Sequence, residues 1–139
     1  MNKKVGVLSS AFLLSASIGS GSTAYAQEDN TAAVYAGYKI YKQFNGTGCS
    51  GCHGALGAGG GAFPDLAERV KSMSEADFVS AVLNGKEGTI MPKGVDDKKF
   101  KKFAEKYGLT DEEAAKGVYT YIAGIIDKSI PKKPPKPAK

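Results

Sequence analysis

The chain has 139 residues, of which 42% are hydrophobic, and this length and composition predict one domain with a modest core. Its formal net charge is +5, but the excess lies at the two ends of the chain. Residues 27–127 contain 12 basic and 14 acidic side chains, a net charge of −2, and Arg69 is their single arginine. These numbers give no support to a nucleic-acid-binding protein, which needs a basic surface.

Residues 1–26 have the pattern of a secretory signal peptide that is removed on export. Two lysines near the start precede a short apolar stretch, residues 5–18, and a small-x-small motif ends at Ala26. The apolar stretch is interrupted by four serines and is short for a bilayer-spanning helix, so an uncleaved membrane anchor is less favoured. We therefore expect cleavage before Gln27, a periplasmic location and no transmembrane segment after cleavage.

The first helix of the expected exported chain is predicted over residues 32–44, after a frayed polar start at residues 27–31. Its apolar and aromatic residues recur near one face at helical spacing. Residues 49–62 are rich in glycine and other small residues, so neither a helix nor a strand should extend across them. Backbone of this kind can pass closely around a bulky group.

Short helices are predicted after this glycine-rich segment. The first covers residues 66–73. The second is capped by Ser74 and ends at Asn84, and the third is capped by Asp96 and ends at Gly108. The last begins at about residue 111 and is capped by Thr110. Glu113 completes a capping box with Thr110. No segment alternates at period two, so we expect an all-α fold without a substantial sheet.

The C-terminal residues 128–139 contain five lysines and four prolines. Such a composition predicts an extended, solvated tail. The tail and the signal segment together account for the high isoelectric point of about 9.1.

Both cysteines of the chain and its single histidine lie in the motif CSGCH at positions 49–53. In an exported protein two cysteines can form a disulfide, and a Cys-x-x-Cys pair can also be a redox-active thiol site. The strand–helix pattern that accompanies a thioredoxin-type site is absent from the sequence. A zinc site would need more ligands than these three side chains supply.

The spacing favours covalent attachment of a c-type haem, for which Cys-x-x-Cys-His is the signal. Cys49 and Cys52 would each form a thioether to one vinyl group of the porphyrin, and His53 would bind the iron from one side. The three side chains are adjacent because one rigid planar group has to be held at three points. We therefore expect one haem c as cofactor.

The opposite axial position of the iron is open to a methionine, a lysine, a tyrosine or water, because no second histidine exists. Met73 lies directly before the Ser74 cap and is better suited to filling core space. Met91 lies in a loop, 38 residues after His53, and the following Pro92 keeps that loop out of a helix. We favour Met91 as the second axial ligand.

With these residues, the chain resembles a small bacterial class I cytochrome c over nearly all of its expected exported length. The matching residues are Gly37 and Tyr41, the motif CSGCHG, Pro64 with Leu66, Met91 with Pro92, and YTYI in the last helix. The resemblance implies four to five short helices, within residues 27–127, around one covalently attached haem. It also implies that Gly37 packs against Tyr119 or Tyr121 and that the carbonyl of Pro64 orients His53.

Two features depart from the smallest members of that family. The spacing from Tyr41 to Cys49 is longer, and a helix is inserted between the Met91 loop and the last helix. The stretch LNGKEGTIMP, followed by a C-terminal helix and a basic tail, is similar to cytochromes that accept electrons from quinoprotein alcohol dehydrogenases.

The sequence thus predicts a periplasmic one-electron carrier, not an enzyme, with His53 and Met91 as axial ligands. Expected partners are a periplasmic dehydrogenase as electron donor and a terminal oxidase or another cytochrome as acceptor, and the chain itself is expected to be a monomer. Residues 86–106 contain seven lysines and four acidic residues, which is either a docking surface for an acidic partner or an ordinary solvated face. The alternatives are a haem-based small-ligand sensor with a labile sixth ligand, a haem enzyme such as a peroxidase, and a thiol oxidoreductase.

Overall fold

Helices form the regular structure of the residues that a computed structural model describes, 23–42 and 48–138, with side chains from residue 30 onward. The elements are α1 Thr23–Tyr41, α2 Cys49–His53, α3 Leu66–Ser72, α4 Glu75–Asn84, a 3-10 turn Gly94–Asp96, α5 Lys98–Lys106 and α6 Asp111–Asp127. Across these described ranges the β-type pairing is an isolated bridge between Gly60 and Phe63, which confirms the predicted all-α class. None of the described helices is long and apolar enough to cross a membrane. Most of the expected signal peptide, residues 1–22, lies outside the described residues.

The first helix is displaced toward the N-terminus relative to its prediction. α1 covers residues 27–31, so the expectation of a frayed start is wrong. The described helix ends at Tyr41, and its predicted end at Phe44 lies outside the described residues. Residues 27–31 contain no glycine or proline, so nothing in their backbone interrupts a helix that the next turns already stabilise.

Two of the three predicted helix caps are confirmed. The Ser74 hydroxyl accepts the N–H of Asp77, and Thr110 and Glu113 form a capping box in which each side chain accepts the other residue's backbone N–H. The prediction for α5 is wrong by one residue, because Asp97 rather than Asp96 accepts the N–H groups of the first turn. The 3-10 turn that precedes α5 includes Asp96 and so moves the helix start by one position.

The most extensive helix contact in the described part of the chain joins α1 and α6. The two backbones touch at Gly37 and Gly117, where a Cβ on either residue would overlap the opposite backbone. The crossing partner of Gly37 is therefore Gly117, and not Tyr119 or Tyr121 as the resemblance implied. Tyr121 instead packs one turn further along, with its ring against those of Tyr38 and Tyr41.

The start of the C-terminal tail packs on α6, so the prediction of a solvated tail is wrong for Ile130 and Pro134, whereas the side chains of residues 131–133 are exposed. The Ile130 N–H donates to the Gly124 carbonyl at 3.0 Å, and the Ile130 side chain fills the space that Gly124 leaves open. The Tyr121 hydroxyl donates to the Lys132 carbonyl at 2.9 Å. Pro134 is buried. Carbonyl acceptors and one apolar side chain are enough to fix a segment whose prolines have no N–H to donate.

Candidate functional site

A single helical turn presents both cysteines and the histidine. α2 spans Cys49–His53 and places Cys49 and His53 four residues apart, one above the other on the same face. Cys49 and Cys52 are not joined in a disulfide; Cys49 is half-buried against the core and Cys52 is exposed. The geometry is not that of a disulfide. It presents two thiols and one imidazole from a rigid local unit.

The His53 ring is buried, with 8% of its surface exposed, and one of its nitrogens is committed to a hydrogen bond. Nδ1 lies 2.9 Å from the Pro64 carbonyl oxygen. Because a carbonyl only accepts, this contact assigns the proton to Nδ1 and leaves the lone pair of Nε2 for a metal. The Phe63 ring stands edge-on to the imidazole at a centroid distance of 6.3 Å and limits its rotation. The donor set therefore fits a haem whose iron is bound by His53.

Glycines fold the chain after α2 back toward His53. The Gly59 N–H donates to the His53 carbonyl at 2.9 Å, and Gly59 has a φ of +68° that L-residues with side chains rarely adopt. A Cβ on Gly59 would lie 2.7 Å from the Phe63 carbonyl oxygen and from the Asp65 nitrogen. This close approach on both sides of Pro64 holds the Pro64 carbonyl at the Nδ1 edge of the imidazole.

The end of α1 is tied to the same loop by two hydrogen bonds that sequence reasoning missed. The Tyr41 hydroxyl donates to the Gly54 carbonyl at 2.5 Å, and the Lys42 ammonium donates to the Ala55 carbonyl at 2.6 Å. Burial, followed by the charge of Cys49, raises the pKa of Tyr41 above its ordinary value. The partners in each bond are 13 residues apart, and no local sequence pattern predicts a contact over that separation.

The Cys49 thiol lacks the lowered pKa of an activated, nucleophilic thiol. Burial, with smaller contributions from the charges of Asp97 and Cys52, raises its pKa to about 11. Thiol oxidoreductases work through a nucleophilic cysteine with a lowered pKa. The raised pKa of Cys49 does not favour it as a nucleophile of this kind.

Met91 lies in a different part of the structure, in the loop between α4 and the 3-10 turn Gly94–Asp96. Its N–H donates to the Thr89 hydroxyl at 3.2 Å, and that hydroxyl donates to the Lys86 carbonyl at 2.7 Å. Met91 is half-buried, whereas the neighbouring Ile90 is 81% exposed. The loop is therefore held by hydrogen bonds in a conformation that leaves Met91 less exposed than Ile90.

The other methionine with a described side chain, Met73, is the C-cap residue of α3. Its N–H donates to the Arg69 carbonyl at 2.8 Å. Cys49, Cys52, His53 and Pro64 thus belong to one local unit, Met91 to a second loop and Met73 to a helix end.

Comparisons with known proteins agree with this chemistry. Residues 34–125 match the family model described as cytochrome c. Cytochrome c-555 of Methylococcus capsulatus (strain Bath) is 34% identical over 99 residues, which cover 71% of this chain and 68% of that protein. No solved structure matches the chain. The region matched by the family model contains the CSGCH motif, Pro64 and Met91.

Proposed function

We propose that this chain, which belongs to the cytochrome c family, is an exported one-electron carrier whose haem iron is bound by His53 on one side and Met91 on the other. Family membership rests on the match over residues 34–125. As a cytochrome c, the chain is an electron-transfer protein with a covalently bound c-type haem and not an enzyme. The axial ligands of the haem iron, the periplasmic location and the redox partners are proposals.

The observation that carries the proposal is the 2.9 Å contact between His53 Nδ1 and the Pro64 carbonyl. It orients the imidazole, fixes its tautomer and increases the basicity of the remaining nitrogen. Cys49 and Cys52 lie on the same turn, which supports the proposal that they form the two thioethers. When bound, the haem supplies an iron centre that gains and loses one electron.

Met91 is the proposed second ligand because its loop is held in a fixed conformation that buries part of its side chain. Ligation by histidine and methionine raises the reduction potential relative to ligation by histidine alone and leaves no free iron site for a substrate. Both consequences suit electron transfer rather than catalysis or gas binding.

The ligand assignment is tested by absorption spectra of the oxidised and reduced holoprotein, with and without CO. We expect a c-type spectrum with the weak far-red band of sulfur–iron ligation, unchanged by CO. Replacing Met91 with alanine should abolish that band and admit CO, whereas the matched control Met73→Ala should leave both unchanged. CO binding by the parent protein would favour the sensor alternative, and a preparation without haem would exclude a haem carrier.

The proposed location is the periplasm, with a mature chain that starts at Gln27. Cleavage at that position would leave most of α1 in place, including all of its contact with α6 at Gly37. N-terminal sequencing of the exported protein tests the cleavage site, and we expect it to begin at Gln27. A start beyond Gly37 would contradict the proposal, because it would remove the helix crossing. A periplasmic dehydrogenase as donor and an oxidase or another cytochrome as acceptor are the proposed partners.

The lysines of α5 are the proposed docking surface for an acidic redox partner. Lys98, Lys102 and Lys106 are exposed, while Lys101 forms an ion pair with Asp111 at 2.8 Å. Opposite charges on two partners accelerate their encounter, and this steering weakens as salt is added. We expect electron-transfer rates with an acidic partner to fall with ionic strength in the parent and less steeply after Lys98→Glu with Lys102→Glu. Lys71→Glu on α3 is the control, and a rate independent of salt in the parent would exclude steering.

A further inference from the structure

The segment that follows α6 combines a fixed backbone with a strong positive charge. Residues 128–139 contain five lysines and no acidic residue. The lysines with described side chains are exposed, and they are Lys128, Lys132, Lys133 and Lys136. The fifth, Lys139, lies outside the described residues. We call residues 128–136 the basic strap.

Hydrogen bonds and apolar contacts fix the backbone of the basic strap on α6. The Ile130 N–H donates to the Gly124 carbonyl at 3.0 Å, and the Ile130 side chain occupies the space beside Gly124. The Tyr121 hydroxyl donates to the Lys132 carbonyl at 2.9 Å, and Pro134 is buried. These contacts use backbone groups and apolar side chains, so the lysine side chains stay exposed while the chain that carries them is held.

The basic strap runs back along the C-terminal part of α6. Lys128 ends the helix with a φ of +66°, a left-handed conformation that turns the chain around. The contacts then pass from Gly124 to Tyr121, toward the N-terminus of the helix. Three prolines within residues 131–135 favour an extended backbone. The lysines are therefore spread along one line of the protein surface.

The side chains of the basic strap indicate the kind of partner that it fits. Its exposed residues are lysines, prolines and a serine, and it contains no aromatic residue and no arginine. Protein interfaces depend on aromatic and arginine side chains that fill pockets in the partner. Lysine is a hydrated point charge that needs no shaped counterpart. A surface of closely spaced negative headgroups attracts such a row of charges, so the chemistry favours anionic lipid over a protein.

We propose that the basic strap binds the surface of an anionic phospholipid membrane and holds the carrier there. The proposal goes beyond electron carriage, and it depends neither on Met91 as ligand nor on the identity of the redox partners. The attraction is electrostatic, because the exposed side chains of the strap include no large apolar group that could insert among lipid tails. Since the strap is already held on α6, little conformational freedom is lost on binding.

The basic strap and the lysines of α5 contact different parts of α6. Lys101 on α5 pairs with Asp111, the first residue of α6, whereas the strap is held at Tyr121 and Gly124. At the rise of an α-helix these contact points are about 15 to 20 Å apart along the axis. Charges are screened over about 10 Å at moderate salt, so the two basic surfaces act separately. A membrane at the strap leaves the α5 lysines open to a redox partner.

The first test is sedimentation of the holoprotein with lipid vesicles. One set contains phosphatidylcholine alone, and the other contains phosphatidylcholine and phosphatidylglycerol in equal parts. We expect binding to the anionic vesicles only, and weaker binding as salt is added. Replacing Lys132 and Lys133 together with glutamine should weaken this binding by about 30-fold, because each lysine near an anionic surface contributes roughly a fivefold factor.

The matched control removes the same charge from the other basic surface. Lys98→Gln with Lys102→Gln should bind the anionic vesicles as the parent does. Both double variants replace exposed side chains, and the strap variant keeps the backbone carbonyl that accepts the Tyr121 hydroxyl. Urea unfolding should therefore give the same stability for the parent and both variants, which ensures that a loss of binding reports the charge.

Lysine acetylation identifies the face that contacts the membrane. The holoprotein is acetylated in solution and on anionic vesicles, and the modified lysines are mapped by mass spectrometry. We expect Lys132, Lys133 and Lys136 to react more slowly on the vesicles, and Lys98 and Lys102 to react as in solution.

Protection of the α5 lysines instead of the strap would overturn the proposal, as would equal losses of binding in the two double variants. The absence of binding to anionic vesicles would also overturn it. If the strap variant then slowed electron transfer to an acidic protein, the strap would be a protein-docking surface instead. Vesicle binding does not test the axial ligands, so its failure would leave the proposed electron carrier in place.

Discussion

The helix pair α1 and α6 and the loop that follows α2 both depend on glycine, but for different physical reasons. Gly37 and Gly117 are helical and are small so that two backbones can touch. Gly59 and Gly61 have φ values of +68° and +59°, so they supply a left-handed backbone that other residues adopt at a cost. Close packing thus holds the helix pair, whereas backbone geometry and hydrogen bonds hold the segment that presents His53.

This difference shows which changes each region tolerates. The helix crossing has no spare volume, so any added atom must separate the helices. The loop has open space at Gly61, where a Cβ would meet nothing within 4 Å, but not at Gly59. Replacement of glycine by alanine therefore has three separable outcomes in one chain. It causes a collision alone at Gly117, backbone strain alone at Gly61, and both at Gly59.

Alanine at Gly117 should give the largest effect, because its Cβ would overlap the backbone of Ala33. Moving two backbones apart in a packed interior should lower the free energy of unfolding by about 3 kcal/mol. Urea unfolding of the holoprotein measures the loss. Ala76→Val on the exposed surface of α4 is the control for added bulk and should stay near the parent. A Gly117→Ala variant as stable as the parent would mean that the helices do not touch at this point.

The buried phenol of Tyr121, on α6, predicts a loss of stability at high pH. Burial raises the pKa of Tyr121 from 10.0 to about 12, so the folded protein retains this proton more tightly than the unfolded chain. Its contribution is fully present below pH 10 and is lost as the pH rises toward about 12. At about 1.4 kcal/mol per pKa unit, the loss approaches about 3 kcal/mol.

The measurement is urea unfolding of the parent and of Tyr121→Phe between pH 8 and 12, with the range set by that shifted pKa of about 12. Phenylalanine cannot ionise, so the variant should lose less stability over the interval than the parent does. Parallel pH curves for the two proteins would show that Tyr121 ionises as freely in the folded state as in the unfolded chain.

The sequence predicted those features of both regions that are set by neighbouring residues. The caps at Ser74 and Thr110 and the helix stop before Gly85 depend on a few consecutive side chains, and the structure has them. The same reasoning failed for Asp96, because the 3-10 turn before α5 packs Gly94 against the distant Val82 carbonyl. It also failed for the tail, whose position depends on the space beside Gly124.

At the site, the motif alone was enough to propose haem attachment through Cys49 and Cys52. The contact of Pro64 with His53 was implied by family resemblance, since it depends on a fold of the loop at Gly59 that no local pattern encodes. The tie between Tyr41 and Gly54 was not anticipated at all. Met91 as axial ligand stays a prediction.

Alanine substitutions at Gly59 and Gly61 separate collision from backbone strain within the loop. Both variants take on the cost of a left-handed residue, about 1 kcal/mol, but only Gly59→Ala adds a contact with the Phe63 carbonyl and the Asp65 nitrogen. We expect Gly59→Ala to be less stable than Gly61→Ala by about 2 kcal/mol. It should also change the reduction potential, because the Pro64 carbonyl that orients His53 has to move. Equal potentials in the two variants would show that Gly59 does not control that carbonyl.

The smallest effect is expected where the two regions meet, at Tyr41. Phenylalanine at this position keeps the ring in the core but leaves the Gly54 carbonyl without its donor at 2.5 Å. A single lost hydrogen bond costs about 1 kcal/mol, so urea unfolding should register a modest decrease relative to the parent. If the bond also fixes the chain next to His53, the reduction potential should shift in Tyr41→Phe. It should not shift in the control Tyr119→Phe, which removes a hydroxyl from a ring that packs against Phe78. A stability loss without a shift in potential would mean that the helix pair merely anchors the loop, and that the Pro64 carbonyl alone sets the orientation of the histidine.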